Sequence, residues 1–201
     1  MRSYRILLLL VGLAGCHTAL ADTEAARPLD DAISHTVLLK DPGCTGVRIG
    51  GGLVVTAKHC MGSRHEGDRH SGMTVGYISP DHDFAVLKGD APIMSVWLRD
   101  AKIGQHVYAI GFPVSIDDGK QHLTVTDGIV AGPADSEDQE RITAYAYYGN
   151  SGGGVWGDGG ELVGILVEIR PSGTADGGYP VPMPAHSYMV PISFVRDVVL
   201  R

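Results

Sequence analysis

Apolar residues in this chain come in short runs, and turn-forming residues separate one run from the next. Residues 35–40 form one such run, closed by Asp41-Pro42-Gly43. Residues 47–49 and 53–56 flank Gly50-Gly51-Gly52, which is the pattern of a β-hairpin. Runs at 74–78 and 84–87 follow, then 105–110, 121–126, 129–130, 141–147, 162–169 and 188–190. The 28 glycines and 11 prolines are spread along the whole chain. They therefore mark many tight turns, because disordered sequence would concentrate them in one segment. The fold class predicted is all-β, with two six-stranded antiparallel units. Residues 192–200 carry helical spacing of apolar residues behind Pro191, so a C-terminal helix is predicted there. Residues 34–91 and 92–201 are the two predicted units, joined near 89–95.

The first 21 residues read as a signal peptide. Arg2 and Arg5 precede an apolar run over 6–14, too short to span a bilayer as a helix. Two processing sites compete. Leu13-Ala14-Gly15-Cys16 matches a bacterial lipobox at four consecutive positions, which would lipidate Cys16 and attach the chain to a membrane. Ala19-Leu20-Ala21 offers ordinary cleavage before Asp22. The lipobox is the better match. Residues 22–33 are polar and are expected to form a flexible tether. Export places Cys44 and Cys60 in an oxidising compartment, where two cysteines are expected to pair. The formal net charge of −7 argues against a nucleic-acid partner, which needs a basic face.

Three local patterns carry chemistry. Thr56-Ala57-Lys58-His59-Cys60 puts an imidazole at the end of an apolar strand, beside a cysteine. Histidine titrates near neutrality, so it can take and return a proton. Asp83-Phe84-Ala85-Val86-Leu87 puts a carboxylate at the head of another strand. Gly149-Asn150-Ser151-Gly152-Gly153 surrounds a serine with glycines, which allow a tight turn and an exposed hydroxyl.

In the order His, Asp, Ser, these segments resemble the chymotrypsin–trypsin family of serine proteases, whose motifs read T-A-A-H-C, D-x-A-[LV]-L and G-[DN]-S-G-G. Residues 108–113 and 124–130 resemble the second barrel of compact bacterial members, including the heat-shock-type trypsin-like proteases. The resemblance covers about residues 34–201. It implies two antiparallel six-stranded β-barrels with a site between them. It implies that His59, Asp83 and Ser151 form a catalytic triad, and that the N–H groups of Gly149 and Ser151 bind the oxyanion. It also implies a Cys44–Cys60 disulfide and a polypeptide substrate, with no cofactor and no metal. Lys58 departs from the small residue of the motif. A cation aimed at His59 would disfavour the imidazolium, so Lys58 is expected to face solvent. Asn150 replaces an aspartate that pairs with a newly cut N-terminus in digestive members, so no activating cleavage is expected. Val167 stands where many members carry a serine.

Specificity is not decided by these residues. The register of the resemblance assigns Tyr145 to the base of the substrate pocket, with Glu168, Ile169 and His186 along its walls and Val167 in the same substrate-binding set. His186 would favour acidic substrates and Glu168 basic ones, while Tyr145 would leave room for small side chains. The polar stretch 61–72 holds His65, Glu66 and His70, but without ligand spacing it reads as a solvated loop. Trp97 and Trp156 read as packing residues, and Tyr145 and Tyr147 are expected to share a buried face. Two alternatives compete with an endopeptidase. One is an inactive binding or scaffold protein on the same fold, for which Lys58 and Val167 are the hints. The other is an esterase with a Gly-x-Ser-x-Gly elbow, which needs its histidine last in the chain.

Overall fold

A computed structural model describes residues 22–89, 95–133, 138–170 and 186–200. The signal peptide, Cys16 and the 90–94 segment lie outside these residues. The first half holds six strands: β1 (Thr36–Leu39), β2 (Cys44–Gly50), β3 (Leu53–Thr56), β4 (Arg69–His70), β5 (Met73–Ile78) and β6 (Ala85–Lys88). They form one antiparallel sheet in the order β1-β2-β3-β6-β5-β4. The sheet is a half-barrel with β1 and β4 at its edges. The second half holds β7 (His106–Gly111), β8 (Thr124–Pro133), β9 (Glu140–Ile142), β10 (Gly154–Gly157), β11 (Leu162–Arg170) and β12 (His186–Pro191). These close into a barrel in the order β10-β11-β12-β9-β8-β7. Helix α2 (Ile192–Val199) follows directly and buries Ile192 and Val195.

The expected hairpin is present, with Val47 opposite Val55 and Arg48 opposite Val54. Two apolar cores fill the molecule. One lies inside the barrel, around Val107, Ile142, Val155, Leu166 and Met189. The larger one runs between the halves, joining Val47, Val55, Phe84 and Leu87 to Ile110, Trp156, Ile165 and Val190. Burial of this shared core docks the half-barrel on the barrel.

The structure corrects several expectations. Residues 22–33 do not form a tether: Asp22–His35 is a helix, α1. Ala32 is buried and Leu29 and Ile33 pack beside it. These positions recur at i, i+3 and i+4, so one face of a polar segment is apolar. The His35 Nδ1 lies 2.7 Å from the Arg48 carbonyl, which ties the helix end to β2. The 61–72 stretch is not wholly a solvated loop, because His70 is buried in β4. Burial lowers the His70 pKa, with the Arg64 charge as a lesser cause. The strand expected over 141–147 is only three residues long, and β10 was not foreseen. Trp156 packs as expected, but Trp97 is 68% exposed. Tyr145 is also exposed, at 54%, while Ala144 and Ala146 are buried. The alternation was right in period and wrong in phase. Small alanines fit the filled barrel interior, and the larger rings point outward.

Candidate active site

His59 sits in a single 3-10 turn, Lys58–Met61, directly after β3. The turn is anchored by a disulfide between Cys44 on β2 and the buried Cys60. The His59 ring and the two sulfurs place ligand atoms within 4.8 Å of one another. The sulfurs are bonded to each other, so this trio is not a ready metal site.

Asp83 ends a tight bend just before β6. Within the bend the His82 N–H donates to Ser79 Oγ and the Ser79 N–H to the Phe84 carbonyl. The carboxylate then meets His59 twice. Oδ2 lies 2.7 Å from Nδ1, and Oδ1 accepts the His59 backbone N–H at 2.9 Å. Two acceptors on one rigid carboxylate fix both the position and the plane of the imidazole. Asp81 lines the same cleft without such a contact to His59. His82 stacks on Phe194 of α2, ring centroids 3.8 Å apart, so the C-terminal helix braces the bend that carries Asp83.

The Lys58 ammonium is engaged outside the imidazole. It donates to the Pro80 carbonyl at 3.1 Å. Lys58, His59, Asp81, His82, Asp83, Asp138 and Gln139 line a cleft of about 470 Å³.

Ser151 lies in a turn immediately before β10. Gly149 has φ +99° and Gly152 has φ +84°, both in the left-handed region. A Cβ on Gly152 would lie 2.1 Å from the Thr45 carbonyl oxygen and from Thr56 Oγ1. A Cβ on Gly149 would lie 2.5 Å from the Phe112 carbonyl oxygen. Gly152 thus allows the turn to press against the first half of the chain, and Gly149 allows it to press against Phe112 and Pro113 of its own half. The Gly152 N–H donates to Leu166 and the Gly153 N–H to Asn150. Among the described residues, neither the Gly149 nor the Ser151 N–H donates to a protein acceptor. Asn150 is buried, its Oδ1 lacking a hydrogen-bond partner among the described residues.

Two polar residues outside the three motifs link the halves here. Thr45 on β2 bonds to Gly149, Ser151 and Phe112. Gln121 donates to the carbonyls of Gly43 and Phe112. Neither belongs to a motif, and only their placement reveals them.

The expected pocket residues fare differently. Val167 is not a cleft side chain: it is buried in the core between the halves, at a register shift of β11. Tyr145 is exposed rather than enclosed. Glu168 and His186 pair with Tyr188 and Arg170 across β11 and β12, and their side chains lie outside the described set.

The trypsin-like peptidase domain family matches residues 44–165, which include all three candidate residues and span more than half of the chain. The chain belongs to the trypsin-like peptidase family. Among trypsin-like relatives, a probable periplasmic serine endoprotease DegP-like from Pseudomonas fluorescens is 34% identical over 129 residues, covering 59% of this chain and 25% of the relative. A protein of the same description from Hahella chejuensis is 30% identical over 164 residues, covering 73% and 32%. The chain therefore spans about a quarter to a third of the length of these curated relatives. The solved HtrA-type protease AlgW with decapeptide superposes with a TM-score of 0.61 at 23% identity, over 78% of this chain and 50% of that one. This likeness shows the trypsin-like fold.

Proposed function

We propose that this chain is an exported serine endopeptidase that cleaves polypeptides through an acyl-enzyme. Ser151 Oγ attacks the scissile carbonyl carbon and its proton passes to His59 Nε2. The resulting oxyanion is held by the N–H groups of Gly149 and Ser151. His59 then gives the proton to the leaving amine, and water hydrolyses the ester by the same route reversed. Asp83 holds Nδ1–H and stabilises the imidazolium. The observation that carries the reading is the double contact of Asp83 with His59, at 2.7 and 2.9 Å. It commits Nδ1 to the carboxylate and makes Nε2 the proton-exchanging nitrogen. Family membership and the unspent amides of the serine turn support the same roles.

Export is supported by the charged and apolar start of the sequence and by the disulfide. The relatives described as periplasmic agree with it. Lipidation at Cys16 would then tether the enzyme to a membrane. The test is a fluorophosphonate probe on the mature protein, beside Ser151→Ala. Labelling that disappears in the variant is the expected result. A folded, oxidised wild type that does not label would leave an inactive binding protein on this fold as the better reading.

A further inference from the structure

We infer that Thr45 is a positioning residue for the oxyanion-binding turn, an inference that rests on the serine endopeptidase reading above. Thr45 is fully buried on β2, in the half of the chain that does not carry Ser151. Its backbone N–H donates to the Ser151 carbonyl at 2.9 Å. Its hydroxyl lies 2.8 Å from the Gly149 carbonyl and 2.9 Å from the Phe112 nitrogen. The direction of these two bonds is not ambiguous. A backbone N–H can only donate and a carbonyl can only accept, so the hydroxyl accepts from Phe112 and donates to Gly149. Thr56 Oγ1 in turn donates to the Thr45 carbonyl at 2.7 Å, which holds Thr45 itself.

The consequence lies in the freedom of Gly149. At φ +99°, with no side chain, its two flanking peptides are able to rotate unless something holds them. The peptide before it is held because the Tyr148 carbonyl accepts the Val114 N–H at 2.8 Å. The peptide after it is held at both ends: its carbonyl accepts from the Thr45 hydroxyl, and its Asn150 N–H donates to the Tyr147 carbonyl at 2.9 Å. The next peptide, which carries the Ser151 N–H, is held through the Asn150 carbonyl by the Gly153 N–H at 2.8 Å. Thr45 closes this series by fixing the carbonyls of both Gly149 and Ser151, on either side of the Ser151 amide. Part of the turn's geometry therefore depends on how the half-barrel is seated on the barrel. This makes Thr45 a link from the disulfide-bearing strand β2 to the oxyanion site, without touching substrate.

The experiment compares wild type, Thr45→Val, Thr45→Ala and Thr45→Ser. Each is measured for the second-order rate of labelling by a fluorophosphonate, and for kcat and KM on p-nitrophenyl acetate. Thr45→Val keeps the shape and removes the hydroxyl; labelling and kcat are expected to fall about 10- to 100-fold, with KM within about threefold, because a displaced donor costs the transition state most. Thr45→Ser is expected to recover most of the rate. The pH at which labelling is half-maximal should not move, because the His59–Asp83 pair is untouched. Should Thr45→Val fail to fold, Thr45→Ala carries the same expectation. Wild-type rates in a hydroxyl-less variant, or a serine variant as slow as valine, would overturn the inference and leave the peptidase reading standing. An unlabelled wild type would overturn both.

Discussion

Asp83 and Asp81 are two residues apart, yet only Asp83 brings both oxygens to His59. The difference is one of direction: the bend at 79–84 is closed by the buried Ser79 and Phe84, and it aims Asp83 across at the 3-10 turn. Asp83→Asn tests the role. An amide at this position keeps the size but offers Nδ1 either an oxygen without charge or an N–H. The expected fall in the labelling rate is about 10⁴-fold with the Tm nearly unchanged. A loss below tenfold would show that the carboxylate does not orient the base.

At the scale of elements, α2 is bound to the site through one aromatic stack. Phe194 lies against His82, and His82 adjoins Asp83 in the bend. Phe194→Ala removes that brace at a half-buried position. A stability loss of about 1–2 kcal/mol is expected, read by denaturant titration. Labelling should slow with it, and unchanged labelling would detach α2 from the site. A second clasp joins strands at the barrel surface. His106 on β7 has Nδ1 2.7 Å from Asp158 in the β10–β11 turn, and Nε2 3.4 Å from Asp127 on β8. Its ring meets Tyr108 edge-on at 4.9 Å. The bond to Asp158 is the main cause that raises the His106 pKa above 6.5, and Asp127 adds to it. The folded state binds the proton more tightly, so the clasp stabilises fully below that ordinary value. Its contribution is lost as pH rises through the higher folded value. The Tm gap between wild type and His106→Asn should be widest below the ordinary value of 6.5 and shrink as pH rises above it. A gap that widens with pH would contradict the clasp.

Over the whole molecule, the site exists only where the halves meet. Ser151 and its turn come from the barrel, while His59, Asp83 and the bracing Thr45 come from the half-barrel. The Cys44–Cys60 bridge closes a sequence separation of 16 residues between β2 and the histidine turn. Cys44→Ala with Cys60→Ala is expected to cost roughly 3 kcal/mol of stability, since the open chain regains loop entropy. Labelling should weaken beyond the fraction unfolded, because Thr45 follows Cys44 directly on β2. Equal specific labelling of the folded fraction would separate the bridge from the site.

Much of the fold was legible because its signals are local. Strand periodicity, the glycine hairpin and Pro191 before α2 each act over a few residues. The candidate site was legible for a related reason: the chemistry demands a histidine, an aspartate and a glycine-framed serine in short contexts. Other features had no local signature. α1 hides in a polar segment whose apolar stripe, Leu29, Ala32 and Ile33, spans barely one turn. Tyr145 and Val167 both fall in β-prone runs, but that one is exposed and the other buried is decided by how the two halves pack around them. Thr45 and Gln121 make their key contacts across 104 and 78 positions of the chain. By itself the sequence determined an all-β chain with a candidate His-Asp-Ser set, because local backbone preference and reaction chemistry are written in neighbouring residues. Only the tertiary structure decided which side chains are buried and what holds the serine turn, because those answers come from the packing of one half against the other.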